Sequence, residues 1–138
     1  MSRLVRFSVS IDEELICAFD SLSHEMGYTN RSEAIRDAMR QRMIRREWES
    51  DDEVAGVITL LYDHHRTGLS EALMEIQHHA LDVVISTTHV HVDADNCLEL
   101  IAVKGEAHTI EHLADRMISL KGVKHGELTG TSTGRRIT

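Results

Sequence analysis

Apolar and polar side chains alternate along residues 7–11, which is the period-2 pattern of a half-buried strand. Apolar side chains then recur at helical spacing over residues 15–26, and Gly27 ends that run. Asn30 and Glu33 resemble a capping box that begins a second helix. The pattern predicts one strand followed by two helices. Because a lone strand leaves its edges unpaired, we expect it to pair with the strand of a second copy, which makes this unit an obligate dimer.

The rest of the chain alternates between strands and helices. Its apolar patterns predict the order strand, helix, strand, strand, helix, strand over residues 54–62, 69–79, 81–92, 97–103, 110–120 and 123–129. This order is that of a ferredoxin-like split βαβ fold. The predicted fold class is therefore α+β, a dimeric strand-helix-helix unit followed by a ferredoxin-like βαββαβ domain. A fold of this kind assigns no activity by itself.

Charge is distributed unevenly along the 138 residues, whose formal net charge is −8. Residues 1–46 carry eight basic and seven acidic side chains, whereas residues 47–138 carry seven and sixteen. We place the domain boundary at this step and predict a first domain, a linker and a second domain over residues 1–48, 49–53 and 54–138. The acidic balance excludes a uniformly basic nucleic-acid binder but not a locally basic module.

Composition excludes several other classes of protein. Hydrophobic residues make up 41% of the chain, which is enough for a packed core. No apolar stretch approaches the ~20 residues of a membrane span, and the N-terminus lacks the apolar core of a signal peptide. Two cysteines are too few for a disulfide framework. We therefore expect a cytoplasmic protein that has no membrane partner.

Ten histidines in 138 residues raise the question of a metal site. His89 and His91 lie two positions apart on a predicted strand, so both side chains leave the same face. A turn then brings Cys97 to the neighbouring strand, on a face that depends on the register. Two imidazoles and a thiolate suit Ni(II), Cu(II) or Zn(II), although solvent-facing histidines and a core cysteine are the alternative. The candidate for a fourth ligand is His78, or its neighbour His79, from this chain or from a partner.

A small metalloenzyme is one alternative use of such a site, since catalytic zinc needs three ligands, an open position and a nearby general base. Glu99 lies two residues after Cys97 and is placed to share its face. The chain contains no HExxH motif, nucleophile elbow or glycine-rich phosphate loop. We therefore predict that the protein is not an enzyme, and we expect Glu99 to support the metal ligands from outside the coordination shell.

The polar face of the first strand is a candidate DNA-reading surface, although ordinary solvent exposure is the alternative interpretation. Arg6, Ser8 and Ser10 share this face, and a two-stranded ribbon from two copies would present six such side chains. A β-ribbon fits the major groove, where Arg reads guanine and Ser reaches several base edges. The start of the second helix, at residues 30–32, offers free backbone N–H groups to a phosphate.

Four segments carry a specific likeness to a known family. They are residues 27–37 (GYTNRSEAIRD), 77–79 (QHH), 89–92 (HVHV) and 95–99 (DNCLE). Over roughly residues 4–130, the chain resembles the NikR family of nickel-responsive transcriptional regulators, in which an ACT domain follows a ribbon-helix-helix domain.

The resemblance implies a homotetramer in which two dimeric ribbon-helix-helix domains flank four ACT domains. It also implies one Ni(2+) per subunit in a square-planar site at the interface between ACT domains. The implied ligands are His89, His91 and Cys97 of one chain and His78 of the partner subunit, with Glu99 supporting the site.

The resemblance further implies that the chain binds double-stranded DNA at a palindromic operator. The implied DNA-binding residues are Arg6, Ser8, Ser10, Asn30, Arg31, Ser32 and Arg66. A second cation is implied at Glu33 and Asp37. The family's reading strand commonly carries threonines where this chain has serines, so we expect a different operator sequence.

The leading hypothesis is a nickel-responsive DNA-binding regulator that represses nickel-uptake genes when Ni(2+) binds at the ACT-domain interface. One alternative is a ribbon-helix-helix regulator that responds to another metal or a small molecule through its ACT domain. The other is a small metalloenzyme.

Overall fold

The computed structural model of the chain describes residues 3–138. Its helices and strands are α1 (Glu13–Glu25), α2 (Arg31–Glu49), β1 (Glu53–Asp63), α3 (Leu69–His78), β2 (Val84–His91), β3 (Asn96–Glu106), α4 (Ala107–Ile118) and β4 (Val123–Ser132). They form two compact units, one made of the described residues up to Met43 together with Thr138, the other of residues 44–137. No helix within this described part of the chain is long and apolar enough to cross a membrane.

The first unit confirms the two helices predicted for it. The Oδ1 atom of Asn30 accepts a hydrogen bond from the backbone N–H of Glu33 at 2.8 Å, so Asn30 caps α2. Gly27 has a φ of +86°, which lets the chain leave α1 through a conformation that other residues adopt only with strain. The Arg31 guanidinium ties the start of α2 to α1, because its Nε donates to the Asp20 carboxylate at 2.9 Å.

The strand predicted over residues 7–11 is absent, since residues 3–12 adopt no regular secondary structure. A strand exists only where its backbone groups pair with another strand, and no strand within the described residues pairs with this segment. The apolar side chains of Phe7 and Val9 are 67% and 64% exposed. The period-2 pattern thus has no partner strand in the described part of the chain, and pairing with a second copy stays a prediction.

The second unit confirms the predicted βαββαβ order. Its antiparallel sheet has the strand order β2-β3-β1-β4. Every second side chain of β1 is buried, as are alternate side chains along β3, and α3 and α4 pack against that face. The centre of this core consists of Ile58, Leu60, Ile101, Ile110 and Met117. The result is a two-layer arrangement of helices on one face of a sheet.

The apolar pattern predicts a strand from Leu81, but β2 begins at Val84. The backbone N–H groups of Val83 and Val84 both donate to the Ala80 carbonyl, at 3.0 and 2.9 Å. These local bonds form a turn after α3, and they delay pairing with β3 by three residues. Val83 is buried within this turn, which explains why its sequence pattern resembles that of a strand.

The end of α2 and the acidic segment after it are bonded into the second unit. Trp48 lies against Gly130 of β4, and its Nε1 donates to the carbonyl oxygen of Thr131 at 3.0 Å. The Asp52 carboxylate pairs with Arg136 at 2.9 Å. The second unit therefore includes this segment as an integral part of its structure.

Replacing Gly130 by Ala is expected to lower the melting temperature by about 4 °C or more, since overpacking costs about 1–3 kcal/mol. A Cβ at this position would lie 2.6 Å from Cε2 of Trp48, so the indole would have to move. Gly105→Ala is the matched control, because its Cβ would meet Val83 at 3.4 Å and beyond. Thermal unfolding followed by circular dichroism measures both variants. Equal melting temperatures would contradict the tight approach of Trp48 to β4.

Candidate metal centre

The pairing of β2 with β3 places three predicted metal ligands on one face of the sheet. His91 lies directly opposite Cys97, and His89 lies directly opposite Glu99. Directly opposed residues point to the same side of a sheet, and Cys97 and Glu99 both belong to the helix-covered face. The sequence does not determine on which face of the sheet Cys97 lies. The register places Cys97 on the face that carries both histidines.

Cys97 and His89 are in contact across this strand pair. The Sγ atom of Cys97 lies 3.8 Å from Nδ1 of His89. Cys97 is 2% exposed, whereas the His89 side chain is 56% exposed, so the pair extends from the core to the surface. A thiolate and imidazole nitrogens are donors that suit Ni(II), and this donor set therefore fits that ion.

The two histidines at the end of α3 differ in their surroundings. The Nδ1 atom of His79 donates to the carbonyl oxygen of Glu75 at 2.8 Å, so this ring is turned back onto its own helix. His78 is exposed, and its ring lies edge-on to that of His79 with the ring centroids 6.1 Å apart. Within residues 3–138, no group of three or more His, Cys, Asp or Glu side chains is arranged to hold a metal ion. One chain therefore does not bring His78 to the other predicted ligands, and His89, His91 and Cys97 share a face without being drawn together around one ion position.

Glu99 is a buried carboxylate whose two oxygen atoms both have partners. The Tyr62 hydroxyl donates to Oε2 at 2.8 Å, and the Gln77 amide donates to Oε1 at 2.8 Å. The Nε2 atom of His89 lies 3.5 Å from the same Oε1. Burial, and then the Glu99 carboxylate, raise the pKa of Tyr62, so the phenol stays protonated and remains a donor. Glu99 thus occupies a position from which a carboxylate orients an imidazole, and its support of a metal ligand stays a prediction.

The sequence does not predict three members of this hydrogen-bond network. Tyr62 occupies the last buried position of β1, opposite Cys97 on β3. Gln77 lies in the last turn of α3, and its Oε1 accepts a hydrogen bond from Thr87 Oγ1 of β2 at 2.7 Å. The position of Gln77 directly before His78 is the one sequence signal that could mark it. Together these side chains connect the end of α3 to the face that carries Cys97.

The turn between the two ligand-bearing strands is held by Asp93. Its carboxylate accepts hydrogen bonds from the backbone N–H groups of Asp95 and Asn96, at 2.9 and 2.8 Å, and from the Asn96 side-chain amide. These donors, the Asn96 amide first, hold the pKa of Asp93 below its ordinary value. The turn thereby fixes the register that sets His91 opposite Cys97.

His64 lies beside His91, outside the predicted ligand set. Their ring centroids are 5.1 Å apart in an edge-on arrangement. The Nδ1 atom of His64 is buried and has no hydrogen-bond partner among the described residues. The surroundings of His91 therefore contain a second imidazole that the sequence does not place there.

Replacing Glu99 by Gln is expected to weaken nickel binding by about 10–100-fold. Glutamine keeps the size of the side chain but removes the negative charge that faces His89, and its amide opposes the amide of Gln77. Calorimetric titration with Ni(II) measures the affinity, and Glu127→Gln, at an exposed position of β4, is the matched control. Equal affinities in the two variants would contradict a role of Glu99 at the metal centre.

The two carboxylates of the predicted second cation site already have partners on α2 and on the segment before it. The Glu33 carboxylate pairs with Arg36 and, at 3.1 Å, with Arg40. These arginines, Arg36 first, hold the pKa of Glu33 below its usual range. The Tyr28 hydroxyl donates to Asp37. A cation bound here would compete with these partners, and its presence stays a prediction.

All residues predicted to bind DNA are exposed, namely Arg6, Ser8, Ser10, Asn30, Arg31, Ser32 and Arg66. Two of them also have structural partners in the first unit. Asn30 caps α2, and Arg31 pairs with Asp20. The remaining five lie on the segment before α1, at the start of α2 and in the loop after β1.

Comparison with known proteins gives matches over both units. Residues 5–46 match the family described as "Ribbon-helix-helix protein, copG family", and residues 55–131 match "NikR C terminal nickel binding domain". A solved structure, that of uncharacterized protein TM1266 from Thermotoga maritima, is similar with a TM-score of 0.52 and 14% identity. It covers 57% of this chain and 98% of its own, and it shows a shared fold alone.

Relatives that are named as nickel-responsive regulators align over nearly the whole chain. The protein of Pyrococcus furiosus is 53% identical over 135 residues, which are 97% of this chain and 98% of its own. That of Nitratidesulfovibrio vulgaris is 50% identical over 139 residues and covers both chains fully. That of Geobacter sulfurreducens is 51% identical over 138 residues, 99% of each chain.

A ribbon-helix-helix domain joined to a nickel-binding domain defines a metal-responsive transcriptional regulator rather than an enzyme. Full-length identity of about half to named relatives makes the assignment more specific. The chain belongs to the NikR family of nickel-responsive regulators.

Proposed function

We propose that the chain represses nickel-uptake genes by binding a palindromic DNA operator when it is loaded with Ni(II). The observation that carries the proposal is the register of β2 on β3, which sets His89 and His91 on the face of Cys97. These three residues and the partner subunit's His78 would hold one ion per subunit. An ion held by these residues would link two chains of the proposed homotetramer.

An apolar groove on the first unit supports a dimeric ribbon-helix-helix arrangement. The groove has a volume of about 400 Å³ and is lined by Ile11, Leu15, Ile16, Phe19, Ile35, Ala38, Met39 and Arg42. Leu15 and Met39 are 64% and 55% exposed, and an apolar surface of this kind is typical of an interface. The occupant that we propose is the same surface of a second copy, which a two-fold axis makes self-complementary.

Dimerisation by this surface supplies the partner that residues 3–12 lack. Two such segments, one from each copy, would pair as an antiparallel ribbon and bury the side chains of Phe7 and Val9. Arg6, Ser8 and Ser10 are at even-numbered positions, so in a strand they leave the face opposite to that of Phe7 and Val9. They would then face the major groove. The start of α2 would contact the neighbouring phosphate.

Nickel acts, in this proposal, by selecting one arrangement of the ribbon-helix-helix dimers. Ligands from two subunits are satisfied together only when the ACT domains adopt one relative position. The network of Thr87, Gln77 and Glu99 connects the last turn of α3, which ends at His78, to His89. Metal binding therefore favours the arrangement that spans both half-sites, and such a coupling is typically worth about 1–3 kcal/mol.

The deciding experiment is a gel shift with the upstream region of the protein's own or neighbouring genes, with and without Ni(II). We expect retardation only with nickel. Protein that carries the same molar amount of Cu(II), Zn(II) or Co(II) provides the comparison. Affinity for the metal does not identify it, because copper outranks nickel on the usual order, so the DNA response is the readout. Native mass measurement should give four times 15.6 kDa. Retardation that is independent of nickel, or a stable monomer, would contradict the proposal.

A further inference from the structure

A pocket of about 290 Å³ opens in the first unit where the chain turns from α1 into α2. Asp20, His24, Asn30 and Arg31 are among the side chains that line it. Arg31 is the first residue of α2, directly after the Asn30 cap, so its charge adds to that of the free backbone N–H groups at the helix start. Asp20 is the one carboxylate among the described residues that line this pocket, and it opposes both.

The Asp20 carboxylate covers one edge of the Arg31 guanidinium. The Nε atom of Arg31 donates to Oδ1 of Asp20 at 2.9 Å, and Nη2 donates to Oδ2 at 2.5 Å. These two parallel bonds use the fork of donors that a guanidinium also offers to the oxygen atoms of a phosphate. A phosphate that approaches Arg31 must therefore displace Asp20 or bind the remaining donors with a carboxylate beside it.

Both members of this ion pair are in contact with solvent. The side chains of Arg31 and Asp20 are 56% and 40% exposed, and a pair at such a position contributes little to the stability of a fold. The Arg31 guanidinium holds the pKa of Asp20 below its ordinary value, so the carboxylate is ionised at neutral pH. The pair is thus accessible to an anion from outside, and its negative member is in place when that anion arrives.

The charge balance at Arg31 differs from that of the next two arginines of α2. Arg36 and Arg40 share the single carboxylate of Glu33, so this group of three keeps a positive charge. Arg31, by contrast, faces the carboxylate of Asp20 with both of its oxygen atoms engaged. The positive charge at the start of α2 is therefore neutralised one to one, at the place where a helix start would otherwise attract an anion most strongly.

We propose that Asp20 restrains the binding of DNA, because it neutralises Arg31 at the start of α2. The inference rests on the proposed function, since the anion that competes with Asp20 is a backbone phosphate of the bound DNA. A phosphate contact adds affinity without sequence preference. With Asp20 in place, binding to unrelated DNA stays weak, and contacts with the bases supply a larger share of the total affinity.

The test compares the full-length parent with Asp20→Asn by fluorescence anisotropy, using operator and unrelated DNA over a salt series, with and without Ni(II). Asparagine keeps the size of the side chain and an acceptor oxygen for Arg31, but it removes the negative charge. We expect the variant to bind both DNAs more tightly by the same factor, about threefold to tenfold at low salt. The slope of log K against log salt should become steeper by about 0.9 for each phosphate that Arg31 newly neutralises. Damage to the fold would weaken binding, so it does not produce this gain.

Two further comparisons show whether the effect of Asp20 is exerted through Arg31. In a chain that carries Arg31→Gln, the additional change Asp20→Asn should leave the affinity for both DNAs nearly unchanged. Glu25→Gln removes the same charge from an exposed position at the end of α1, and it should keep the salt slope of the parent. Thermal unfolding of each variant measures whether the fold is retained.

The outcomes separate this inference from the proposed function. If the parent binds its operator only with nickel and Asp20→Asn binds DNA no more tightly than the parent, this inference alone is overturned. An equal gain with and without Arg31 would also overturn it, because Asp20 would then act by its charge alone. If operator binding is independent of nickel but Asp20→Asn tightens binding through Arg31, the proposed function fails and this inference holds. If neither parent nor variant binds DNA, both fail.

Discussion

Replacing Cys97 by Ala is expected to abolish tight nickel binding and, with it, the nickel-dependent retardation of operator DNA. Cys97 is buried, lies opposite His91, and has its Sγ atom 3.8 Å from His89. Alanine retains most of the packing but removes the one anionic sulfur donor of the predicted ligand set. Calorimetric titration with Ni(II) measures the affinity, and the thiolate-to-nickel absorption provides an independent signal that should disappear.

Cys17→Ala is the matched control for this prediction, because Cys17 is exposed on α1. It should retain full nickel affinity and full absorption. Thermal unfolding of the metal-free proteins separates a metal effect from a packing effect, since the loss of a small core group costs on the order of 1 kcal/mol. Parent-like nickel affinity in Cys97→Ala would show that the predicted ligand set is wrong.

Replacing Arg6 by Ala is expected to remove the preference for the operator over unrelated DNA. Arg6 is exposed on the segment before α1 and has the parity of Ser8 and Ser10. A bidentate contact of arginine with guanine is worth about 1–3 kcal/mol of discrimination, and a dimeric ribbon presents the residue twice. The loss for each dimer is thus about 2–6 kcal/mol, or about 30-fold and more in affinity ratio. Anisotropy titrations with operator and scrambled DNA measure that ratio.

Arg3→Ala provides the control of equal charge for the reading surface, because Arg3 has the opposite parity on the same segment. It should leave the ratio of operator to scrambled affinity unchanged, because Arg3 does not share the face of Arg6, Ser8 and Ser10. Nickel affinity should stay at the parent value in both variants. An Arg6→Ala protein that still distinguishes its operator would rule out this face as the base-reading surface.

The second unit could be predicted from the sequence almost completely, whereas the first strand could not. The helix expected over residues 69–79 is observed as Leu69–His78, because helical spacing of apolar residues reflects burial against the chain's own sheet. The alternating pattern over residues 7–11 predicts burial against another molecule, since no strand within residues 3–138 pairs with this segment. An apolar pattern therefore predicts that one face of a segment is buried, but it does not identify the molecule that buries it.

The geometry of the candidate metal centre depends on contacts that the sequence predicts only in part. Two histidines in i, i+2 spacing share a face in any strand, but the face of Cys97 depends on the register, and a shift of one residue would reverse it. The bonds that Asp93 makes within the turn determine this register. Tyr62, Gln77 and Thr87 come from three different elements and meet only in the folded chain, so no spacing in the sequence connects them.

The packing of Trp48 against Gly130 has a practical consequence for spectroscopy. Trp48 is the only tryptophan of the chain, so its fluorescence emission originates at a single place, beside β4. Its indole N–H donates to Thr131, which makes the emission wavelength sensitive to any rearrangement of that strand end. An unlabelled sample thus carries its own optical probe, and a stopped-flow trace recorded after mixing with Ni(II) would time how fast the second unit responds.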